Sequence, residues 1–294
     1  MKKICVVGSV NVDTTLYLDK FPLKGETIKC ENKLTAIGGK GFNQAIAAYR
    51  SGADVMFYTS VGNDNDAQFV KDTIKRVQLP IILDEIDNST GSAFILVEKS
   101  SQNEIIINEG ANGNNSPSAL KDNELDRFDI IILQNEIPES VNKKIIDKYG
   151  KTKTIIYNPA PSRKIDVSLL KNVAYLTPNE VEICKITGLD FESSINFLLE
   201  KGVKNLLITL GKEGCLFVNE KERFMVPAFE VKAVDTVAAG DTFIGYFASG
   251  LANGVDIKEA LKISNAASAL TVSNYGAEPS IPFKNKVEDF LKNN

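Results

Sequence analysis

The sequence predicts an α/β protein built on a doubly wound, mostly parallel sheet, and three observations carry that expectation. Short apolar runs recur along the chain, several hold Val and Ile in continuous rather than alternating order, and segments of helical length separate them. Strands buried on both faces read as continuous apolar runs, and a regular alternation of strand with helix builds parallel crossovers.

In chain order, "KICVVGS" is the first strand, "NQAIAAYRSG" a helix, "DVMFYTSVG" a strand and "DAQFVKDTIKRVQ" a helix. The strand "FDIIILQ" is followed by the helix "PESVNKKIIDKYG", then by the strands "TIIYNPA" and "AYLTPNE". The helix "FESSINFLLEKG" leads to the strand "NLLITLG", and the apolar stretch from Thr242 reads as a buried helix. Two regions break the alternation: "DTTLYLDKFPLKGETIKCENKLTAI" and "TGSAFILVEKSSQNEIIINEGAN" read as short strands with turns. They are expected to come together as a small β-sheet lid over about 13–36 and 91–109, with two unrelated surface hairpins as the alternative. No internal repeat, low-complexity tract or Pro/Gly linker divides the chain, so residues 1–294 read as a single domain.

Composition narrows the chemistry. The chain is 43% apolar and 24% charged, with 34 basic against 38 acidic residues, a formal charge of −4, no Trp and no basic block. A nucleic-acid surface is therefore not expected, and small-molecule work is. Lys2 and Lys3 before an apolar run imitate a secretory leader, but Asn11 and Asp13 interrupt the run. Nothing approaches the ~20 apolar residues of a membrane span, so a cytoplasmic protein without membrane contact is expected. Cys5, Cys30, Cys184 and Cys215 lie far apart with no C-x-x-C pair, which suggests reduced packing residues rather than zinc or disulfides.

In open α/β sheets the ligand crevice lies at the carboxyl ends of the strands. Polar stretches follow the apolar runs at those ends: "GSVNVD", "QNEIP", "NPAP", "TPNEVE", "TLGKEG" and finally "VDTVAAGDTF". In the last of these, Ala238, Ala239 and Gly240 present no bulk to a ligand. If the helix begins around Gly240, its first N–H groups and the positive end of its dipole form an anion nest. Asp241 then has two readings, a helix N-cap or first-turn acid, or a general base. The chain contains no histidine, so acid–base chemistry falls to Asp, Glu, Lys, Tyr or Cys, and a carboxylate beside a phosphate nest leads them. An Asp with a pKa of roughly 4 is a weak base, but phosphoryl transfer relies mainly on positioning and charge stabilisation. Other phosphate sites fail on spacing: "GGK" is followed by Gly41 and "LGK" by Glu213, the first loop has a single glycine, and no His-Arg-Asp occurs.

"GGKGFNQA" (Gly38 to Ala45) and "VDTVAAGDTF" (Val234 to Phe243) resemble the paired signatures of the ribokinase/PfkB family of sugar kinases, and the order of motifs matches over nearly the whole chain. With "GSVNVD", "NPAP", "TPNE", "ITLG" and "GAEPSIP", the chain resembles the ribose-phosphorylating members most. The resemblance implies a ribokinase-like fold and transfer of the γ-phosphoryl group of ATP to D-ribose, giving ribose 5-phosphate. It implies Asp241 as base and Ala238, Ala239 and Gly240 as anion hole. It implies Asn11, Asp13, Gly39, Lys40, Asn43 and Glu136 as sugar ligands, against the plainer readings of Asn11 and Asp13 as turn formers and of Glu136 as a helix start. A furanose offers hydroxyls that both donate and accept, which amides and carboxylates suit.

For the nucleotide, the resemblance implies Asn179, the run Thr209, Leu210, Gly211, Lys212, Glu213 and Gly214, then Gly240, and Asn265 near adenine, where the family often has a histidine. Glu182 corresponds to the residue that arranges Mg²⁺, through water. Asp235, Val237, Thr271, Asn274, Gly276 and Ser280 correspond to a K⁺ site of mostly backbone carbonyls. The family also implies a homodimer joined through the lid. Two departures, Phe42 for a small residue and Ile244 for Asn, are expected to reshape the sugar pocket or its surroundings. They keep open a related kinase for deoxyribose, fructose or a nucleoside, and more remotely a non-catalytic ligand sensor on the same fold.

Overall fold

The computed structural model describes residues 1–99, 103–114 and 123–294. Its larger sheet has nine strands: β1 (Ile4–Val7), β4 (Val55–Val61), β5 (Ile81–Glu85), β8 (Ile130–Leu133), β9 (Thr154–Tyr157), β10 (Tyr175–Leu176), β11 (Asn205–Thr209), β12 (Cys215–Asn219) and β13 (Arg223–Val226). They run in the order β13-β12-β11-β10-β9-β8-β1-β4-β5. All neighbours are parallel except β11 with β12 and β12 with β13. The chain starts in the middle: β1 pairs β4 on one side and β8 on the other, which makes the carboxyl end of β1 a topological switch point.

The continuous apolar runs have the cause expected of them. On β1, Ile4 and Val6 enter one core while Cys5 and Val7 enter another on the opposite face. Ile130 and Ile132 divide from Ile131 and Leu133 in the same way along β8. The first core is covered by α1 (Lys40–Arg50), α2 (Asn65–Val77), α7 (Ala239–Ala252), α8 (Ile257–Val272) and α9 (Lys284–Asn293). The second is covered by α3 (Glu139–Tyr149), α4 (Val167–Leu170), α5 (Glu180–Thr187) and α6 (Phe191–Glu200).

The two irregular regions do come together. β2 (Asn11–Leu18), β3 (Asn32–Gly38), β6 (Ser92–Glu98) and β7 (Asn103–Asn108) form a separate four-stranded sheet in the order β3-β2-β6-β7. Residues 100–102 of the second region lie outside the described residues. Register places Asn11 opposite Gly38 and Asp13 opposite Ala36, so this sheet is rooted at the carboxyl end of β1 and the N-terminus of α1. The edge hairpin β12–β13 and helices α8 and α9 were not read from the sequence. Among the described residues, no helix is long and apolar enough to cross a membrane, and all four cysteines are free.

Helices α1 and α7 lie unusually close, and Gly245 is the reason. A Cβ there would come within 2.5 Å of Ala47 Cβ and 2.7 Å of both Ala48 N and Gln44 O. Backbone cannot yield as a flexible side chain does, so the helices must separate to admit a methyl group. Gly245→Ala is therefore expected to destabilise the protein by about 1–3 kcal/mol, read as a lowered Tm in calorimetry. An unchanged Tm would show that the interface is slack.

Candidate active site

Helix α7 begins at Ala239, one residue before the expected start, with Ala238 as its N-cap in the left-handed region at φ 62°. A non-glycine residue there is uncommon; the first N–H of α7, that of Ala239, donates to Thr236 O at 3.3 Å, so the free donors of the terminus begin at Gly240. A Cβ on Gly240 would meet nothing within 4 Å, so protein packing does not demand a glycine there. The missing side chain instead keeps open the space in front of the helix terminus, where an anion is favoured.

Asp241 lies in the first turn but makes no capping bond, and the plain capping reading is corrected on that point. It is 7% exposed. Its Oδ2 accepts from Asn43 Nδ2 at 3.2 Å and its Oδ1 from Gln44 Nε2 at 2.9 Å. Gln44 in turn accepts from Gln134 Nε2 at 2.8 Å and reaches Asn158 Oδ1 at 3.3 Å, while Asn158 donates to Thr177 O at 2.9 Å. Sequence reasoning missed Gln44, Gln134 and Asn158 as site residues, although each sits inside a stretch it had singled out: "GGKGFNQA", "QNEIP" and "NPAP".

On one side of Asp241 lies a groove of about 350 Å³ lined by Asn179, Thr209, Gly211, Gly214, Ala239, Gly240 and Asn265 among others. The expected nucleotide residues are thus largely brought together. Gly214 has φ 104° and no room for a side chain, since a Cβ would meet Val226 O at 2.1 Å. Leu210 and Glu213 line a neighbouring groove instead, and Lys212 is exposed on the turn 211–213. Asn265 donates to the carbonyls of Val226 and Pro227, both at 3.0 Å, which anchors α8 to the end of β13.

Asn179 and Glu182 form a capping box at the start of α5: Asn179 Oδ1 accepts from the Val181 and Glu182 N–H groups, and Glu182 Oε2 accepts from Asn179 N–H. Glu182 Oε1 stays outside the box. Among the described residues, no three His, Cys, Asp or Glu side chains gather as a metal cluster. A divalent cation here would draw most of its oxygen ligands from phosphates and water, a donor set that suits Mg²⁺.

Asn11, Asp13, Gly39, Lys40, Asn43 and Glu136 gather around the starts of β2 and α1, linked to Asp241 through Asn43. Asn11 and Asp13 are strand residues of β2, not turn formers, and Glu136 precedes α3, whose N-cap is Pro138. Glu136 Oε2 accepts from Ser9 Oγ at 2.5 Å and from the Lys40 N–H at 2.9 Å, holding the N-terminus of α1. Asn11 Oδ1 accepts from Asn112 Nδ2 at 2.7 Å. Gly39 has φ 90° and packs on Asn11 N and Val10 Cα, where a Cβ would approach to 3.0 Å. Two buried acceptors, Asp13 Oδ1 and Asn43 Oδ1, have no hydrogen-bond partner within the protein. Burial first, and the nearby Glu136 carboxylate second, push the Asp13 pKa up to about 7. Burial draws the Lys40 ammonium down, but Asp241, Glu136 and Glu182 outweigh it, so its pKa ends above the ordinary value.

The expected K⁺ residues form a connected loop pair. Asp235 Oδ1 accepts from Val237 N–H at 3.0 Å and its Oδ2 from Gly276 N–H at 2.9 Å, while Val234 and Asp235 both donate to Val272 O. Thr271 O accepts from Asn274 N–H, and Ser280 Oγ donates to Ala277 O. Asp235 thus clamps the segment before the anion nest to the segment after α8. Its side chain accepts one N–H from each of the two segments and so fixes their backbones relative to each other.

Phe42 and Ile244 lie on α1 and α7, the helices that carry Asn43 and Asp241, with their side chains in the core. Phe42 is 0% and Ile244 3% exposed, both in the first core, with the Phe42 ring 6.3 Å from that of Phe57. Of the two expected effects, their burial fits the one on the surroundings of the pocket rather than on its wall.

Residues 1–284 match the pfkB family of carbohydrate kinases. The chain is 39% identical, over 98% of its length, to a bifunctional ribokinase/ribose-5-phosphate isomerase A of Fructilactobacillus sanfranciscensis, of which it spans 56%. It is 36% identical to a ribokinase of Staphylococcus aureus, covering 97% of this chain and 98% of that one. Among solved structures it is similar to the ribokinase of Thermotoga maritima, with TM-score 0.92 and 38% identity over 99% of this chain and 100% of that one. It is also similar to the ribokinase of Arabidopsis thaliana complexed with ribose and ATP, with TM-score 0.92 and 28% identity over 99% of each chain.

The orphaned Asp13 carboxylate sets a pH dependence. With its pKa raised to about 7 in the folded state, the folded protein keeps a proton that an unfolded Asp releases near pH 4. Stability therefore falls as pH rises from about 4 to about 7, and the penalty is complete above that. Asp13→Asn is expected to raise the Tm at pH 8 by a few degrees, with the gain shrinking towards pH 5. An equal gain at both pH values would show that ionisation of Asp13 is not its source.

Proposed function

The chain belongs to the pfkB family of carbohydrate kinases, and from that premise we propose that it transfers the γ-phosphoryl group of ATP to the 5-hydroxyl of D-ribose, giving ribose 5-phosphate and ADP. That the protein is an ATP-dependent sugar kinase follows from its relatives, which are ribokinases over the full length of this chain. The finer reading rests above all on one observation: Asp241, held by two buried amides, directly follows Ala239 and Gly240 of a glycine-lined groove, and one of those amides, Asn43, leaves its own buried oxygen unpaired, as does Asp13. The ribose and ATP complex of the Arabidopsis relative supports the same pairing of ligands.

In this reading the acceptor hydroxyls donate to Asp13 Oδ1 and Asn43 Oδ1, which would otherwise remain unsatisfied at about 1–3 kcal/mol each. Asn11 and Glu136 fix the remaining hydroxyls. The hydroxyl oxygen attacks the γ-phosphorus as the bond to the ADP oxygen breaks, and the hydroxyl proton passes to Asp241. Asn43 and Gln44 hold the carboxylate in place while it serves as base. Charge on the transferring group is met by the Gly240 N–H at the start of α7, by the positive end of the helix dipole and by the Lys40 ammonium. Mg²⁺, held by phosphates and by Glu182 through water, would neutralise the polyphosphate. K⁺, held by the carbonyl loops around Asp235, would order the anion nest.

The small sheet is read as a lid that also joins two subunits. Its outer strand β7 carries Ile105, Ile106 and Ile107, each more than half exposed, beside Phe94 at 46% on β6. Apolar residues on both faces of an open edge are what pairing with a second copy would cover. Light scattering at micromolar concentration should give a dimeric mass, and a monomer would refute this arrangement.

ADP release from MgATP should be fastest with D-ribose, ahead of 2-deoxyribose, fructose and nucleosides, and should rise with K⁺. Preference for another acceptor would overturn the ribose assignment. Asp241→Asn should lower kcat by about 10²–10⁴ with little change in sugar binding. Comparable losses in both would return Asp241 to a structural role.

A further inference from the structure

Glu136 holds α1 with its carboxylate, and a buried polar cluster on the opposite side holds the backbone of Glu136. Tyr157, the last residue of β9, is 2% exposed. Its hydroxyl donates to Asn135 Oδ1 at 2.5 Å. Asn135 Nδ2 donates to Pro161 O at 3.1 Å, and the Asn135 N–H donates to Ala160 O at 2.9 Å. On the far side of Glu136, the Arg163 guanidinium donates to Ile137 O at 3.2 Å. Both chain neighbours of Glu136 are thus tied to the loop that follows β9.

We propose that Tyr157 and Asn135 are positioning residues for Glu136, and that their mutual hydrogen bond sets where the Glu136 carboxylate meets the acceptor sugar. The inference rests on reading the pocket of Asn11, Asp13 and Glu136 as the acceptor site. Glu136 Oε2 already serves Ser9 and the Lys40 N–H, so Oε1 is the oxygen left for a ligand hydroxyl. A hydrogen bond weakens steeply with angle and distance, so a small backbone shift at 136 costs sugar contact without touching the reacting atoms. Burial also holds the Tyr157 phenol above its ordinary range, so it stays protonated and donates. An apolar pair would fill the same volume. A satisfied polar pair additionally fixes orientation.

Tyr157→Phe removes one hydroxyl and keeps the ring. The KM for the acceptor sugar should rise about tenfold, with kcat and the KM for ATP unchanged within about twofold. Hydrogen exchange at the Lys40 amide, which depends on Glu136, should quicken in the absence of any ligand. The kinetics are run with whichever acceptor the wild type turns over fastest, so a wrong assignment of ribose is recognised in the wild type alone. If the wild type turns over no sugar, the exchange measurement decides. Adding Asn135→Leu to Tyr157→Phe should raise the sugar KM further, since it also removes the bond from Asn135 Nδ2 to Pro161 O. Should Tyr157→Phe fail to fold, Asn135→Ser is read in the same two ways. Unchanged sugar KM with unchanged exchange would overturn the inference, as would an equal loss in kcat and in the KM for ATP.

Discussion

A carboxylate shut away from water must have its oxygens met by donors, and the way Asp241 meets this demand organises the rest of the molecule. Its partners, Asn43 and Gln44, are successive residues on α1. Two amides from one helix can reach one carboxylate on another only if the helices approach closely, and Gly245 permits that approach. Gln44 then passes the constraint to β8 through Gln134 and to β9 through Asn158. The catalytic candidate is thus referenced to the sheet by side-chain hydrogen bonds rather than by a loop, which is how a carboxylate is held to within a fraction of an ångström.

The two halves flanking Asp241 are built by different means. The groove side is mainly backbone: Gly211, Gly214, Ala239 and Gly240 line it with little or no side chain, and the Asn179–Glu182 capping box commits its side chains to α5. Such a surface suits a polyphosphate, which asks for donors and positive potential. The other half is side-chain chemistry, with Asp13 and Asn43 oxygens left unpaired and the Asp13 pKa displaced upward. It suits a ligand that supplies hydroxyl donors. The protein carries this unsatisfied half as a cost to its own stability, so the ligand gains at binding what folding gave up.

The sheet and the crevice were legible in the sequence because both follow from local pattern. Continuous Val and Ile runs mark strands such as β1 and β8 with a core on each face, and polar residues after them fall at one edge by topology. The hairpin β12–β13 was missed although Cys215–Val218 of β12 is a continuous buried run; β13, at the sheet margin, has two of its four residues exposed and gives no such signal. Gln44, Gln134 and Asn158 escaped for another reason. Their role lies in contacts across 90 to 197 positions, and an amide inside a helix or at a strand end carries no local mark of its partner. Phe42 and Ile244 drew attention as departures from a familiar pattern, but residue type alone does not tell which side of a helix faces the ligand, and both face the core.

The small sheet shows how closely substrate recognition and fold are joined here. Asn11 and Gly38 are paired across β2 and β3, and Gly39 packs against the backbone of Val10 and Asn11. The strand that carries Asn11 and Asp13 is therefore hydrogen-bonded to the one that turns directly into α1, the helix bearing Lys40, Asn43 and Gln44. A rotation of this sheet about its root carries Asp13 through a larger arc than Asn11, because Asp13 lies farther along β2. Asn11 is further restrained by Asn112, whereas Asp13 Oδ1 has no protein partner. On the proposed reading, a ligand hydroxyl that satisfies Asp13 would favour the sheet orientation in which that oxygen is within reach. That pull would act on the backbone that leads into α1, and so on Asn43 and Gln44, the two amides that hold Asp241.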